Sequence, residues 1–277
     1  MNHEFKHDYY KVEKIASLPF YTEGPATDAE GNIYFTTLSG GSILKIGSEN
    51  NITEWTSSDC PNGQIIMQNG DHLVCDVNLK AIRRFDHTGR FIKNEIERYC
   101  SDQEFTSPND LVTDKKGNVY FTDSVRDKGK ICYFSPSGEQ NIFLGELDYP
   151  NGIIFSHDER FLYVAESYKN RILKIELAGP DVAGNVSVFA ELPSHSSGKK
   201  ENNLPDGLAI DEDGNIWVAH YGLQAIHKLS PDGHLLSSID VKMPLTSNLC
   251  FVDRRTIVVT GGYGEPGPGG VYRIYFK

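Results

Sequence analysis

Long apolar runs are missing from this chain. No stretch approaches the ~18 consecutive apolar residues that a membrane-spanning helix needs, and the polar opening MNHEFKHDYYKVEK lacks the apolar core of a secretory leader. No membrane partner is expected. Cationic surface is scarce as well. The 27 Lys and Arg stand against 38 Asp and Glu, a formal net charge of −11. The basic doublets, Arg83-Arg84 and Lys199-Lys200, are too short to form a patch. A nucleic-acid groove or an anionic membrane surface needs the opposite balance, so no nucleic-acid partner is expected either. Cysteine is sparse: Cys60, Cys75, Cys100, Cys132 and Cys250 are widely spaced and form no CxxC pair. That usage predicts reduced thiols in a cytoplasmic protein. Sustained helical periodicity is absent too, which leaves strands as the dominant element.

What the chain has in abundance is one phrase, repeated. Clear copies are TEGPATDAEGNIYFTTLSG (22–40), SPNDLVTDKKGNVYFTDS (107–124), YPNGIIFSHDERFLYVAES (149–167) and LPDGLAIDEDGNIWVAHYG (204–222). Blurred copies are PNGQIIMQNGDHLVCDV (61–77) and TSNLCFVDRRTIVVTGG (246–262). Each reads as a short apolar strand, a tight Asp/Gly turn and a second strand rich in Val, Ile, Tyr, Phe and Trp. The Asp-Gly and Lys-Gly-Asn turns supply the positive φ that hairpins need. In the fifth copy a third strand (225–230) and a fourth (235–240) follow. Equivalent positions 23, 62, 109, 151, 206 and 248 are separated by 39, 47, 42, 55 and 42 residues. Four strands at that period make a propeller blade. The expectation is therefore an all-β, six-bladed propeller with four-stranded antiparallel blades, filling 1–277 as a single domain. Ring closure would pair 12–16 beside 271–276.

A ring of blades places two residue sets on one face. Glu23, Asn62, Asn109, Asn151, Asp206 and Asn248 open the inner strands and should converge on the axis. Thr37, Asp76, Asp123, Glu166, His220 and Gly261 close the second strands at the same end. Converging polar groups lose water on burial, at about 1–3 kcal/mol for each group left unpaired. A bound cation resolves that cost. Two carboxylates (Glu23, Asp206) with two carboxamides (Asn109, Asn151) suit a hard divalent ion: Ca²⁺ first, then Mg²⁺ or Mn²⁺. Zn²⁺ is less favoured, since no His or Cys stands among the four. The simpler alternative is that Asn151-Gly152 and Asp206-Gly207 only turn the chain. Against it, each repeat has a separate Asp/Gly hairpin turn downstream.

The phrases EGP (23–25), SPND (107–110), PNG (150–152) and PDG (205–207) together resemble the gluconolactonase and senescence-marker-protein (regucalcin) family. The diisopropyl-fluorophosphatase lineage is similar in its six-bladed plan. The resemblance covers nearly the whole chain. It implies that Glu23, Asn109, Asn151 and Asp206 hold a catalytic divalent metal, and that the reaction is hydrolysis of sugar-acid or other lactones. One departure is Ser107, where regucalcin-like members carry Arg; the SPND phrase is closer to the bacterial gluconolactonase branch.

Opening a lactone requires a polarised carbonyl and a delivered water. Asp206 is the candidate for metal ligand and general base together; Glu166 or His220 at the rim is the alternative base. Asn62, Asp123, Glu166 and His220 are expected around the substrate. Segments 192–204, 98–108 and 261–270 are candidate walls, the first of them a candidate lid. A small-molecule substrate is the expected partner, with the chain a monomer or weak homo-oligomer. Competing readings keep the metal but change the chemistry (phosphotriester hydrolysis, or a lyase or isomerase step), or drop catalysis for a binding propeller.

Overall fold

A computed structural model of the chain describes residues 10–47 and 51–277. Most of the polar amino-terminal segment, residues 1–9, lies outside them. The described residues build six antiparallel units of four strands each. Unit 1 comprises Thr22–Thr27, Ile33–Thr37, Ser42–Ile46 and Ile52–Ser57. Unit 2 comprises Pro61–Ile66, His72–Asp76, Ala81–Phe85 and Phe91–Glu97. Unit 3 runs through Pro108–Thr113, Val119–Asp123, Gly129–Phe134 and Gln140–Leu147. Unit 4 runs through Pro150–Phe155, Phe161–Glu166, Arg171–Gly179 and Val182–Glu191. Unit 5 holds Leu204–Ile210, Ile216–Tyr221, Ala225–Leu229 and Leu235–Asp240. Unit 6 takes Leu245–Asp253, Thr256–Gly262 and Gly269–Phe276 from the end of the chain and its fourth strand, Tyr10–Leu18, from the beginning. That last pair is antiparallel, with Val12 opposite Ile274 and Ala16 opposite Val271.

The first strand of each unit lies against the first strand of the next, and that of unit 6 lies against that of unit 1. Burial peaks in the second strand of units 1 to 3 and falls toward the fourth. Every residue of Ile33–Thr37, His72–Asp76 and Val119–Asp123 is buried, whereas Ile52–Ser57 is largely exposed. An apolar cluster fills each gap between units. Leu73, Cys75 and Ile82 of unit 2 meet Leu111, Phe121 and Cys132 of unit 3. Ile33 and Phe35 of unit 1 meet Val258 and Val271 of unit 6. Val218 and Leu229 of unit 5 meet Ala165 and Ile172 of unit 4. Covering both faces of each sheet in this way buries side chains worth about 1.5–3 kcal/mol apiece, and explains the continuous apolar runs in the second strands.

The hairpin turns are built alike. Asp28 Oδ1 accepts from the Glu30 and Asn32 amides at 3.1 and 2.8 Å, and Asn32 Nδ2 donates back to Asp28 Oδ2 at 2.7 Å. Asp114 and Asp211 repeat this with Asn118 and Asn215. Gly31, Gly117 and Gly214 take the positive φ, at +80°, +84° and +81°. These turns mark one end of the molecule; the polar residues that open the inner strands mark the other.

Candidate functional site

The inner strands are irregular at one point. Pairing slips between Pro61 and Gln64, Pro108 and Leu111, Pro150 and Ile153, and Pro205 and Leu208. A similar slip separates Glu23 from Ala26. Proline brings no amide to the ladder, and the bulge after it re-aims the next side chain. The re-aimed residues are Asn62, Asn109, Asn151 and Asp206, with Glu23 in unit 1. All five line one cavity of about 500 Å³, within the range of small-molecule sites. Hydroxyls fix the bulges from neighbouring units: Thr36 Oγ1 donates to the Asn62 carbonyl and Thr122 Oγ1 to the Asn151 carbonyl, both at 2.9 Å.

The strands approach one another closely here. A Cβ on Gly152 would sit 2.2 Å from the Asp206 carbonyl oxygen, and one on Gly207 would sit 2.0 Å from Asn248 Oδ1. Glycine at these slots is a requirement of interstrand distance. Unit 3 departs from the pattern with Asp110, a buried carboxyl whose Oδ1 accepts from the Leu111 amide at 2.9 Å. Asn248, the sixth member of the expected set, is buried outside the cavity wall, its Oδ1 accepting from the Leu249 amide at 2.8 Å.

The electrostatics show what the site is short of. Burial pushes the Glu23 carboxyl up to about 7, with the Asp110 charge adding to it and a hydrogen bond from the Gly24 amide opposing. Burial likewise pushes Asp110 up to about 7. Burial, then the charges of Glu23 and Asp110, hold Asp206 well above the usual carboxylate range. The carboxamide oxygens of Asn62 and Asn151 are buried without a hydrogen-bond partner. Repelling carboxylates beside orphaned acceptor oxygens form a donor set in need of positive charge. Among the described residues no cluster of three or more His, Cys, Asp and Glu makes a metal cage; here two carboxylates would be completed by carboxamides. Oxygen-only donors of this kind fit a hard divalent cation.

Asp123, Glu166 and His220, expected around the substrate, do not line the cavity. Asp123 Oδ1 accepts from the Thr106 and Ser107 amides at 2.9 and 2.7 Å. Glu166 accepts from the Asp148 amide at 2.9 Å and from Arg171 Nε at 2.7 Å. Asp76 does the same for the Asp59 amide, at 2.9 Å. These carboxylates fasten the segment that leads into their own unit's inner strand, one layer out from the axis. His220 is fully buried, with Nδ1 2.9 Å from His227 Nε2. Burial, then His227, pushes its pKa down to about 3, so it is neutral.

Of the remaining wall, two connecting segments were expected from sequence but the aromatic residues were not. Tyr21, Tyr149, Tyr168 and Tyr221 supply aromatic faces, and Glu201, Asn202 and Glu265 come from the connecting segments. The candidate wall 261–270 supplies Glu265, whose Oε1 accepts from the Tyr221 hydroxyl at 2.7 Å. The segment 192–204 supplies Glu201, Asn202 and Leu204. The segment 98–108 instead folds into a short hairpin, Tyr99–Cys100 against Gln103–Glu104, away from the cavity.

A family model described as SMP-30/gluconolactonase/LRE-like region matches residues 21–262. The chain belongs to this family. Within it, the chain is 27% identical over 243 residues to lactonase drp35 of Staphylococcus haemolyticus, covering 82% of this chain and 71% of that one. It is 29% identical over 220 residues to a gluconolactonase of Zymomonas mobilis, covering 73% of this chain and 61% of that one. Among solved structures, a gluconolactonase from Xanthomonas campestris superposes with a TM-score of 0.83 at 22% identity, covering 97% of this chain and 90% of that one. A calcium-binding regucalcin from Agrobacterium tumefaciens superposes with a TM-score of 0.77 at 18% identity, covering 96% and 94%. At those identities the likenesses show the fold: the all-β arrangement of SMP-30/gluconolactonase propellers.

Proposed function

We propose that the chain is a single-domain, closed six-bladed propeller that hydrolyses a small lactone with the help of one divalent cation, Ca²⁺ foremost, held at the axis. The cavity carries the reading: five convergent oxygen-bearing side chains, two of them carboxamides whose oxygens have no partner, and two carboxylates crowded together in a buried wall. Relatives named lactonase and gluconolactonase, and a structural neighbour described as calcium-binding, support the same chemistry.

Glu23, Asn109, Asn151 and Asp206 would hold the ion, with Asn62 beside them facing substrate. When bound, the cation supplies positive charge and Lewis acidity toward a lactone carbonyl. The chain supplies the rest. Asp206, buried beside the ion and at the cavity wall, would accept a proton from the attacking water. The tyrosine walls confine the ring and exclude bulk solvent. Asn62 can turn its carboxamide to a substrate hydroxyl. Asp123, Glu166 and His220 act by holding the frame.

The test is direct. Purified protein is stripped with a chelator, assayed on a panel of neutral lactones, and reloaded with Ca²⁺, Mg²⁺ or Mn²⁺. Ring opening should vanish and return. Asp206→Asn should lower turnover by at least about 100-fold, the scale of general-base catalysis, while far-UV dichroism stays that of the parent. Undiminished turnover in the chelated protein would reject the reading.

A further inference from the structure

Every charged side chain in the cavity wall is a carboxylate. Glu23 and Asp206 are buried at its base, and Glu201 and Glu265 are exposed at its mouth. No Lys, Arg or His lines it. The exposed Lys199 and Lys200 precede Glu201 but do not line the cavity. Arg126, beside the wall, stacks 3.7 Å from the Tyr168 ring centroid and is already paired with Asp148 at 2.6 Å. Lys169, next in the chain, is paired with Glu166 at 2.9 Å. The rest of the wall is uncharged. Tyr21 faces Tyr221 with ring centroids 6.4 Å apart, and Tyr149 meets Tyr168 edge-on at 5.5 Å. The Tyr221 hydroxyl fixes the Glu265 carboxylate at the rim.

We infer that Glu201 and Glu265 form an electrostatic filter that admits an uncharged lactone and expels the carboxylate it becomes. This rests on the lactone-opening reading of the same cavity. A divalent cation's charge is matched by Glu23 and Asp206, so the mouth keeps its own negative charge with the ion in place. In the reaction, the water oxygen bonds to the carbonyl carbon and the ring C–O bond breaks. One proton ends on the ring oxygen, and the new carboxylic acid releases another to solvent. A neutral substrate thus becomes an anion inside an anionic wall. Partial enclosure lowers the local dielectric and lengthens the reach of the repulsion, and exposure at the rim keeps it sensitive to salt, with a screening length of about 10 Å at 0.1 M. Lactones that already carry phosphate or carboxylate are disfavoured for the same reason. The wall therefore sets both substrate class and direction of release.

The experiment uses the Ca²⁺-loaded protein and three probes: δ-valerolactone as substrate, 5-hydroxyvalerate as its product, and the neutral amide of that product. Dissociation constants for acid and amide come from tyrosine-fluorescence titration, a readout independent of turnover. The acid should bind the parent more tightly as salt rises. Glu201→Gln and Glu265→Gln should each improve acid binding relative to amide binding by roughly threefold, and the double variant by about tenfold, with the salt response flattened. Glu201→Gln leaves the Tyr221 bond intact, so a misfolded Glu265→Gln protein would not end the test. An unchanged acid-to-amide ratio in the variants, or acid binding that weakens with salt, would overturn the filter. Absence of lactone turnover under any cation would instead count against the lactonase reading, because the binding ratio is measured without it.

Discussion

A single methyl group separates tolerance from disruption at the axis. Gly152 has an ordinary φ, so its identity is fixed by the Asp206 carbonyl, 2.2 Å from where a Cβ would stand. Gly152→Ala should cost about 1–3 kcal/mol, the usual penalty for overpacking, read as a lower urea midpoint. It should also displace Asp206 and lower turnover along with stability. Asp110 shows where residue-level reading fell short. The phrase SPND was visible, with Asp in a slot that is Gly in PNG and PDG. Only the fold shows that this carboxyl lies near Glu23 and Asp206 and raises both. Convergence was legible because strand starts share an end of the sheet. The crowding was not, since it depends on how closely inner strands approach across the axis.

At the scale of the strand, register specifies which end of a sheet a residue occupies but not its depth. Asp123, Glu166 and His220 do close the second strands, opposite Pro108, Pro150 and Pro205. Depth places them behind the wall, fully or almost fully buried, where Asp123 and Glu166 hold backbone amides. Asp123→Ala would strand the Thr106 and Ser107 amides and should cost about 2–4 kcal/mol at the unmet-donor scale. KM should change little beside the stability loss, the opposite of what a substrate contact would give. The Asp/Gly turns and the four-strand period were legible because they rest on local rules of φ and periodicity. The contact between Glu265 and Tyr221 was not. It spans 44 residues and joins a connecting segment to the end of a strand, which only the arrangement of units brings together.

For the whole molecule, buried titratable groups pull stability in opposite directions with pH. Glu23 and Asp110 have folded values of about 7, raised from 4.5 and 3.8. The stability they contribute is full below the unfolded values and is lost as pH rises through 7. His72 and His227 are both pushed down to about 4 by burial. Their contribution is full above 6.5 and is lost as pH falls through 4. A divalent cation replaces protons at the carboxylates only. Its stabilising effect should therefore be largest above pH 7 and fade below about 5. At 100 times the dissociation constant it should add about 2.7 kcal/mol, a rise of roughly 5–10 °C in Tm by differential scanning fluorimetry. A cation shift that grew as pH fell would contradict the assignment of Glu23.

The strand Tyr10–Leu18 has its hydrogen-bonding partner in Gly269–Phe276, at the far end of the chain. On a ribosome, that partner emerges long after the early strand has left the tunnel. The early strand must wait, edge unsatisfied, through the synthesis of everything between. Closure of unit 6 is thus tied to the synthesis of Gly269–Phe276. A truncated nascent product would present two raw sheet edges at once, making incomplete copies a natural substrate for chaperones and proteases.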